Sequence, residues 1–519
     1  MACLIAAPCS GSGKTLLSLM LAALAQRRGL VLQPFKVGPD YLDPQLLSRV
    51  SGQPCRNLDS LLCSPEWVRR SFAWHGSRAD LALVEGVMGL FDGRGPSTAG
   101  SSAELAVLLD LPVVLVVEAS RQAGSLAALV RGFRDHGPPR VELAGVVLNR
   151  VGSERHRALL AEALAAIEVP LLGVLPQHAS LDLPSRHLGL LPAAELSDLE
   201  ARRQVWADLA VAHLELDRLW PLLAPPAGPA AGEPSPIDWA LQAGGPPARG
   251  PAAGGQAGGG QAARGGALPV AIASDAAFHF RYPEASELLE AVGLQPIAWS
   301  PLANQPLPAG TRAVLLPGGY PELWAAELAA AGQALASLRQ AVAWGLPVVA
   351  ECGGLLLLGE QLADQDGRFH AMAGVLPFRA ARGALSLGYR EARPDVDGLL
   401  VRRGEILCGH EFHRWQLEEL PERRPQPQIG AQQGEGGVSV AGRFGLWQLE
   451  GWGSCARSEG WTAANVHASW LHLHWAGCLG IPRRLAAAAA IAAPLPTPAA
   501  SCSPVNPGPS PWPSAGASP

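Results

Sequence analysis

No Cys-x-x-Cys pair occurs in the 519 residues, and the nine cysteines stand singly. That spacing argues against a disulfide framework and fits a reducing compartment. Positive charge is not in excess: 40 Lys and Arg against 45 Asp and Glu leave a net −5, so no nucleic-acid partner is expected. Long apolar runs are missing too. The stretch ELAVLLDLPVVLVVEAS (104–120) is broken by Asp110 and Pro112, and no run reaches the roughly 20 residues of a membrane span. The amino terminus, MACLIAAPC, has no basic stretch ahead of its apolar residues, so no secretory leader is expected. No repeat of solenoid period is present. These absences point to a soluble, cytoplasmic protein, too long for one domain.

Composition divides the chain. Residues 1–222 alternate short β-type runs with amphipathic stretches. Residues 223–267 contain PPAGPAAGEPSP and PAAGGQAGGGQAARGGA, too poor in large apolar groups to order themselves, and read as a flexible linker. A second ordered region spans 268–484, and the Pro/Ser-rich 485–519 reads as a disordered tail. In the first region CLIAA, VLQPFKV, LALVEGV, VVLVVEA and LAGVVLN are buried-strand runs separated by helical segments such as LLSLMLAALAQRR. In the second, VAIASD, AVLLPGG and PVVAECGG repeat the pattern. Both halves are expected to be doubly wound α/β domains.

In such sheets functional groups gather at the carboxyl ends of strands. The first strand ends in APCSGSGKT (7–15), a phosphate-loop pattern, although Pro8 stands where the usual first glycine would fall. Gly11 and Gly13 let backbone N–H groups close around phosphate oxygens, Lys14 neutralises charge, and Thr15 offers a hydroxyl to Mg²⁺. Two further strands end in KVGPDYLDP (36–44) and EGVMGLFDG (85–93), which place Asp40, Asp43, Glu85 and Asp92 near one another. Singly, each reads as a loop or cap acid. As a set beside a phosphate loop they suit Mg²⁺ with a nucleotide, because hard cations take oxygen ligands.

In the second region Cys352 ends a strand and is followed by two glycines, ECGG, then by a leucine-rich helical stretch. A structural cysteine needs no such glycines, whereas a nucleophile on a strand-to-helix elbow does. LLPGGYPE (315–322) supplies a Gly-Gly turn able to form an oxyanion hole, with Gly319 and Gly353 as the candidate donors. ASWLHLHW (468–475) alternates, so His472 and His474 share a face, and either is a candidate base for the thiol.

These motifs, with RHLGL (186–190), LGYRE (387–391) and GHEFH (409–413), resemble the cobyrinic acid a,c-diamide synthase family over nearly all of 1–480. The resemblance implies a dethiobiotin synthetase-like ATP-dependent domain joined to a class I glutamine amidotransferase domain. It implies glutamine hydrolysis at Cys352 with His472 as base, and Mg²⁺ and ATP at Gly11, Gly13, Lys14, Thr15, Asp40, Asp43 and Glu85. It further implies Asn149 as a reader of adenine, and Tyr41, Leu42 and Asp92 toward the substrate, cobyrinic acid. Dimerisation through the nucleotide domain stays open. Many class I amidotransferases carry a glutamate two residues after the histidine. Here that position is His474, so only a Cys–His dyad is assigned. Three alternatives stand beside this reading: the same chemistry on hydrogenobyrinic acid or another tetrapyrrole, a cobyric acid synthase, and, from another class, a partition-type P-loop ATPase switch. A switch would need no glutaminase pair.

Overall fold

A computed structural model describes residues 2–183, 185–186, 189–190, 196, 198–243, 266–420 and 443–496. His187 and Leu188 of the RHLGL motif lie outside the described residues, as do 244–265 of the expected linker and 497–519 of the expected tail.

Seven parallel strands form the first sheet: β1 (Cys3–Ala6), β2 (Leu32–Val37), β3 (Arg56–Leu58), β4 (Leu81–Glu85), β5 (Val113–Glu118), β6 (Leu143–Val151) and β7 (Leu171–Pro176), in the order β3-β2-β4-β1-β5-β6-β7. Side chains of a strand alternate between faces, and here both faces are covered. Val113, Leu115 and Val117 of β5 enter one core, while Val114 and Val116 enter the other. Each such residue contributes roughly 1.5–3 kcal/mol of burial. The helix Lys14–Arg27 is buried on nearly every side because it lies between this sheet and the helix Leu199–His213, which explains its near-continuous apolar sequence. A short ribbon, β8 (Ser185–Arg186) with β9 (Gly189–Leu190), follows.

The second sheet has eleven strands. Its parallel half is β10 (Leu268–Ala273), β11 (Leu294–Trp299), β12 (Ala313–Leu316), β13 (Val348–Glu351) and β20 (Val466–Ser469), ordered β11-β10-β12-β13-β20. A mostly antiparallel half, not foreseen from the periodicity, continues it: β14 (Gln361–Ala363), β15 (Phe369–Ala371), β16 (Phe378–Pro394), β17 (Leu407–Glu419), β18 (Arg443–Gly451) and β19 (Ser454–Thr462), with β14 alone parallel to β16. The register of β16 on β17 sets LGYRE directly against GHEFH, with Tyr389 opposite His410 and Gly388 opposite Glu411.

Two boundaries differ from expectation. Within 223–267, the helix Pro236–Ala243 buries Ala240 in the second domain's core, together with Trp67 of the first. Past 484, the helix Gly480–Ile491 continues the fold, and Leu495 is buried with its N–H donated to the Thr311 carbonyl at 2.9 Å. In both places a few apolar residues in a Pro/Ala-rich tract find a groove that composition alone does not reveal.

The two domains share one core. Leu62, Cys63 and Trp67 pack among second-domain residues. Buried Arg56 pairs with Glu284 at 3.3 Å and Glu287 at 2.6 Å, and the Tyr389 hydroxyl donates to Asp59 at 3.0 Å. Among the described residues no helix is long and apolar enough to cross a membrane.

Candidate functional site

The carboxyl end of β1 runs into the phosphate loop. Gly11 and Gly13 both have positive φ, at 81° and 112°, and a Cβ on Gly13 would lie 2.4 Å from the Asn149 amide nitrogen. Asn149 lines the cavity and also holds the loop: its Nδ2 donates to the Ser12 carbonyl at 3.0 Å. Lys14 Nζ donates to the Met88 carbonyl at 2.6 Å. Burial, and then the charge of Lys36, lowers its pKa.

Beside this loop the first sheet gathers its acids around a cation missed in the sequence. Lys36, on β2, is fully buried. Its Nζ lies 2.6 Å from Asp43, 2.7 Å from Glu85 and 3.6 Å from Asp40. Thr15 Oγ1 donates to Glu85 at 2.8 Å and lies 3.3 Å from Asp43. Burial alone would lower the Lys36 pKa, but Asp43, Glu85 and Asp40 raise it well above the usual value. Burial pushes Asp40 up to about 7, aided by the charge of Asp43. Burial also works to raise Asp43, and Lys36 outweighs it and holds that carboxyl low. Lys36 lies inside the KVGPD motif. Its signal was a lysine on a strand otherwise buried on both faces.

Among the described residues no three carboxylate, imidazole or thiol side chains form a preformed metal cage. The chemistry of the site nevertheless fits Mg²⁺ arriving with phosphate. Thr15, Asp43 and Glu85 are oxygen donors in mutual contact, and Glu85 Oε2 is buried without a partner. Magnesium usually takes one or two protein oxygens and completes its shell with phosphate and water. Asp40 faces less directly, because its Oδ1 accepts from the N–H groups of Leu42 and Asp43 at the start of the helix Asp43–Ser51. Asp92 is exposed and turned back on its own loop, accepting from the Gly89 N–H at 2.8 Å, so the structure brings Gly93 rather than Asp92 to the cavity wall.

The second sheet ends in a different kind of site. Cys352 has φ 48° and ψ −110°, strained for a residue with a Cβ, at a cost of about 1–3 kcal/mol. It caps the helix Gly353–Leu358, and its N–H is tied to the Ser469 carbonyl at 2.7 Å. A Cβ on Gly353 would stand 2.8 Å from the Gly319 nitrogen, so the two expected oxyanion glycines lie side by side next to the thiol. The Cε1–Nε2 edge of His472 packs over Gly318, where a Cβ would come within 2.5 Å. His472 and His410 exchange backbone hydrogen bonds of 2.9 Å. Burial raises the pKa of Cys352 and lowers that of His472 to about 3, so both groups are neutral at rest. His474 belongs elsewhere: its ring lies 4.4 Å from that of Tyr282 and 6.3 Å from that of Trp67.

The two strand-end sites meet across the domain boundary. A cavity of about 650 Å³ is lined by Gly11, Gly13, Lys14, Thr15, Asp40 and Asp43 from the first domain and by Phe280, Leu387, Tyr389, His410 and Phe412 from the second. Tyr41 and Leu42 also line it. The Tyr41 ring reaches past the wall to lie 5.0 Å from the His472 ring and 5.2 Å from that of Phe280. Phe412 lines the cavity and receives the Cys352 thiol on its carbonyl at 3.7 Å.

A phosphate-loop α/β domain fused to a cysteine-elbow α/β domain defines a two-domain, amidotransferase-type protein. Residues 3–191 match the CobQ/CobB/MinD/ParA nucleotide binding domain, and residues 269–478 match the CobB/CobQ-like glutamine amidotransferase domain. The second match sets the chain apart from partition-type ATPases, which the first alone would not. The cobyrinate a,c-diamide synthase of Gloeobacter violaceus is 42% identical over 92% of this chain and 94% of its own length. That of Synechococcus sp. is 38% identical over 92% and 96%. The hydrogenobyrinate a,c-diamide synthase of Streptomyces coelicolor is 41% identical over 92% and 96%. The chain belongs to this a,c-diamide synthase family.

Proposed function

We propose that the protein is a cytoplasmic, glutamine-hydrolysing amide ligase that amidates the a and c acetate carboxylates of cobyrinic acid in cobalamin biosynthesis, using ATP and Mg²⁺. The observation that carries the reading is the shared cavity, lined by the phosphate loop and by Phe412 and Tyr41, which reach Cys352 and His472 respectively. A carboxylate does not exchange its oxygen for ammonia unaided, because oxide is a poor leaving group. A substrate carboxylate oxygen attacks the γ-phosphorus of ATP and ADP departs. Ammonia then attacks the acyl carbon and phosphate leaves. Such transfer depends on position and charge neutralisation. In this reading Lys14 and the loop N–H groups hold the phosphates, and Thr15, Glu85 and Asp43 hold Mg²⁺, which neutralises phosphate charge when bound. Tyr41 and Leu42 face the substrate. Ammonia formed at Cys352 enters the cavity past Tyr41 and Phe412.

Hydrogenobyrinic acid is the second reading, favoured by the near-equal identity of the relatives named for each substrate, 42% and 41%. Mass spectrometry of products tests both. Protein, ATP and Mg²⁺ are incubated with either corrinoid and with glutamine or ammonia, with Cys352→Ala alongside. Two added amides, lost in Cys352→Ala with glutamine and kept with ammonia, are expected. No amidation of either corrinoid by the wild type with either nitrogen donor overturns the assignment.

A further inference from the structure

His472 is 1% exposed, and its Nδ1 has no hydrogen-bond partner. A buried, unpartnered ring nitrogen on a base is costly, and it leaves the tautomer undefined. The position two residues on, where related glutaminases carry an acid, is His474. Its Nε2 lies 3.8 Å from Glu284, so it looks away from the thiol. A carboxylate does face Nδ1, from the other direction in the chain. Glu351 is the last residue of β13 and immediately precedes the nucleophile, and its Oε2 lies 3.9 Å from His472 Nδ1. Cys352 follows it directly at the turn, so one elbow carries both the thiol and the carboxyl group, and that carboxyl group stands on the Nδ1 side of the imidazole. Glu351 is held in place by a hydrogen bond with Trp475. The other acid near this imidazole, Glu411, is engaged by Arg390 at 2.7 Å and by Arg457.

We propose that Glu351 is the positioning residue of the glutaminase site: it accepts the Nδ1–H of His472 and leaves the Nε2 lone pair to take the Cys352 proton. A separation of 3.9 Å closes to a hydrogen bond with a small side-chain shift, as catalytic contacts commonly do when substrate binds. The S–H bond then breaks toward Nε2 while sulfur bonds to the glutamine amide carbon. Collapse of that adduct breaks the C–N bond and returns the proton to departing ammonia. Water hydrolyses the thioester to glutamate. The inference rests on the glutaminase reading of Cys352 and His472, and it does not require the corrinoid assignment.

Glutamate release from glutamine, measured without any corrinoid, is the test, so a wrong corrinoid assignment leaves the result standing. E351Q, of nearly the same shape, is expected to lower kcat by about 30- to 100-fold, at the low end of the roughly 10²–10⁴-fold a general base itself supplies, because His472 remains in place. KM for glutamine should stay within about twofold, because the group does not touch substrate. E351D, which keeps a carboxyl group as the acceptor, is expected to recover most of the loss. A kcat in E351Q within about threefold of wild type, or a loss that E351D does not relieve, overturns the proposal.

Discussion

Both reactive centres stand at the carboxyl ends of parallel strands, yet they are built from opposite materials. The first-domain site is ionic: Lys14, Lys36, Asp40, Asp43 and Glu85 converge in a small buried volume. The second-domain site is neutral and strained, with a protonated thiol, an uncharged imidazole and a cysteine at φ 48°. Phosphoryl transfer spreads negative charge over several oxygens, so that site needs fixed cations and, in the proposed reading, oxygen donors for a metal. Thioester chemistry moves one proton and develops one oxyanion, so that site needs a nucleophilic sulfur, two N–H donors and a base.

The contrast can be broken from the ionic side first. Glu85→Gln removes a charge that Thr15 and Lys36 both contact. Amidation is expected to fall about a hundredfold or more with glutamine and with ammonia alike, while glutamate release stays near wild type. Equal loss of both activities would mean that the sites are not separable. Lys36→Met is expected next. Removing one partner of a buried ionic cluster costs about 3–5 kcal/mol, read as a lower melting temperature. Added Mg²⁺ should restore more stability to this variant than to wild type, because it would replace the lost cation among Asp43 and Glu85. An equal Mg²⁺ response in both would argue against a metal position there.

Acid probes the neutral site. Burial holds His75, His472 and His474 at about 3 and His279, His410 and His467 at about 4. Unfolded, they titrate near 6.5. As pH falls from about 6.5 toward 4, the unfolded chain binds protons that the folded one refuses, and stability drops. Asp40, raised to about 7, and Glu351, raised to about 8, work the other way, since the folded state takes up their protons first. Asp59, Glu85 and Glu459, also raised by burial, act with these two, while Asp43 and Glu411, held low by their hydrogen-bonded partners, act with the imidazoles. The imidazoles outnumber the raised carboxyls, so the urea midpoint is expected to be lower at pH 4.5 than at pH 7, and an unchanged midpoint would contradict this. The smallest effect is expected from Asn149→Ala, which frees the Ser12 carbonyl beneath the phosphate loop. One buried hydrogen bond is worth about 1 kcal/mol, so KM for ATP should rise about fivefold with kcat little changed. A large fall in kcat would give Asn149 a part in the chemistry.

Much of the first domain was legible because its strands are buried on both faces and its helices are punctuated by phosphate-loop residues. The mostly antiparallel β14–β19 extension was not. Those strands alternate irregularly around a bulge between Arg382 and Ser386, and they carry arginines and glutamates at positions that become paired only across the sheet. Cys352 was found from its flanking glycines. Glu351 beside it gave no signal, because an acid ending a strand is ordinary until an imidazole from 121 positions later is seen to face it.

The two α/β halves, the phosphate loop, the cysteine elbow and the family are written in the chain locally, because each follows from periodicity or from residues adjacent in sequence. Only the tertiary structure decided that Lys36 stands among the acids, that Asn149 clamps the loop, and that Tyr41 of one domain lies against His472 of the other. Those contacts join residues far apart in sequence. Their geometry is set by how two sheets pack, which the hydrophobic pattern favours without specifying which polar side chains meet.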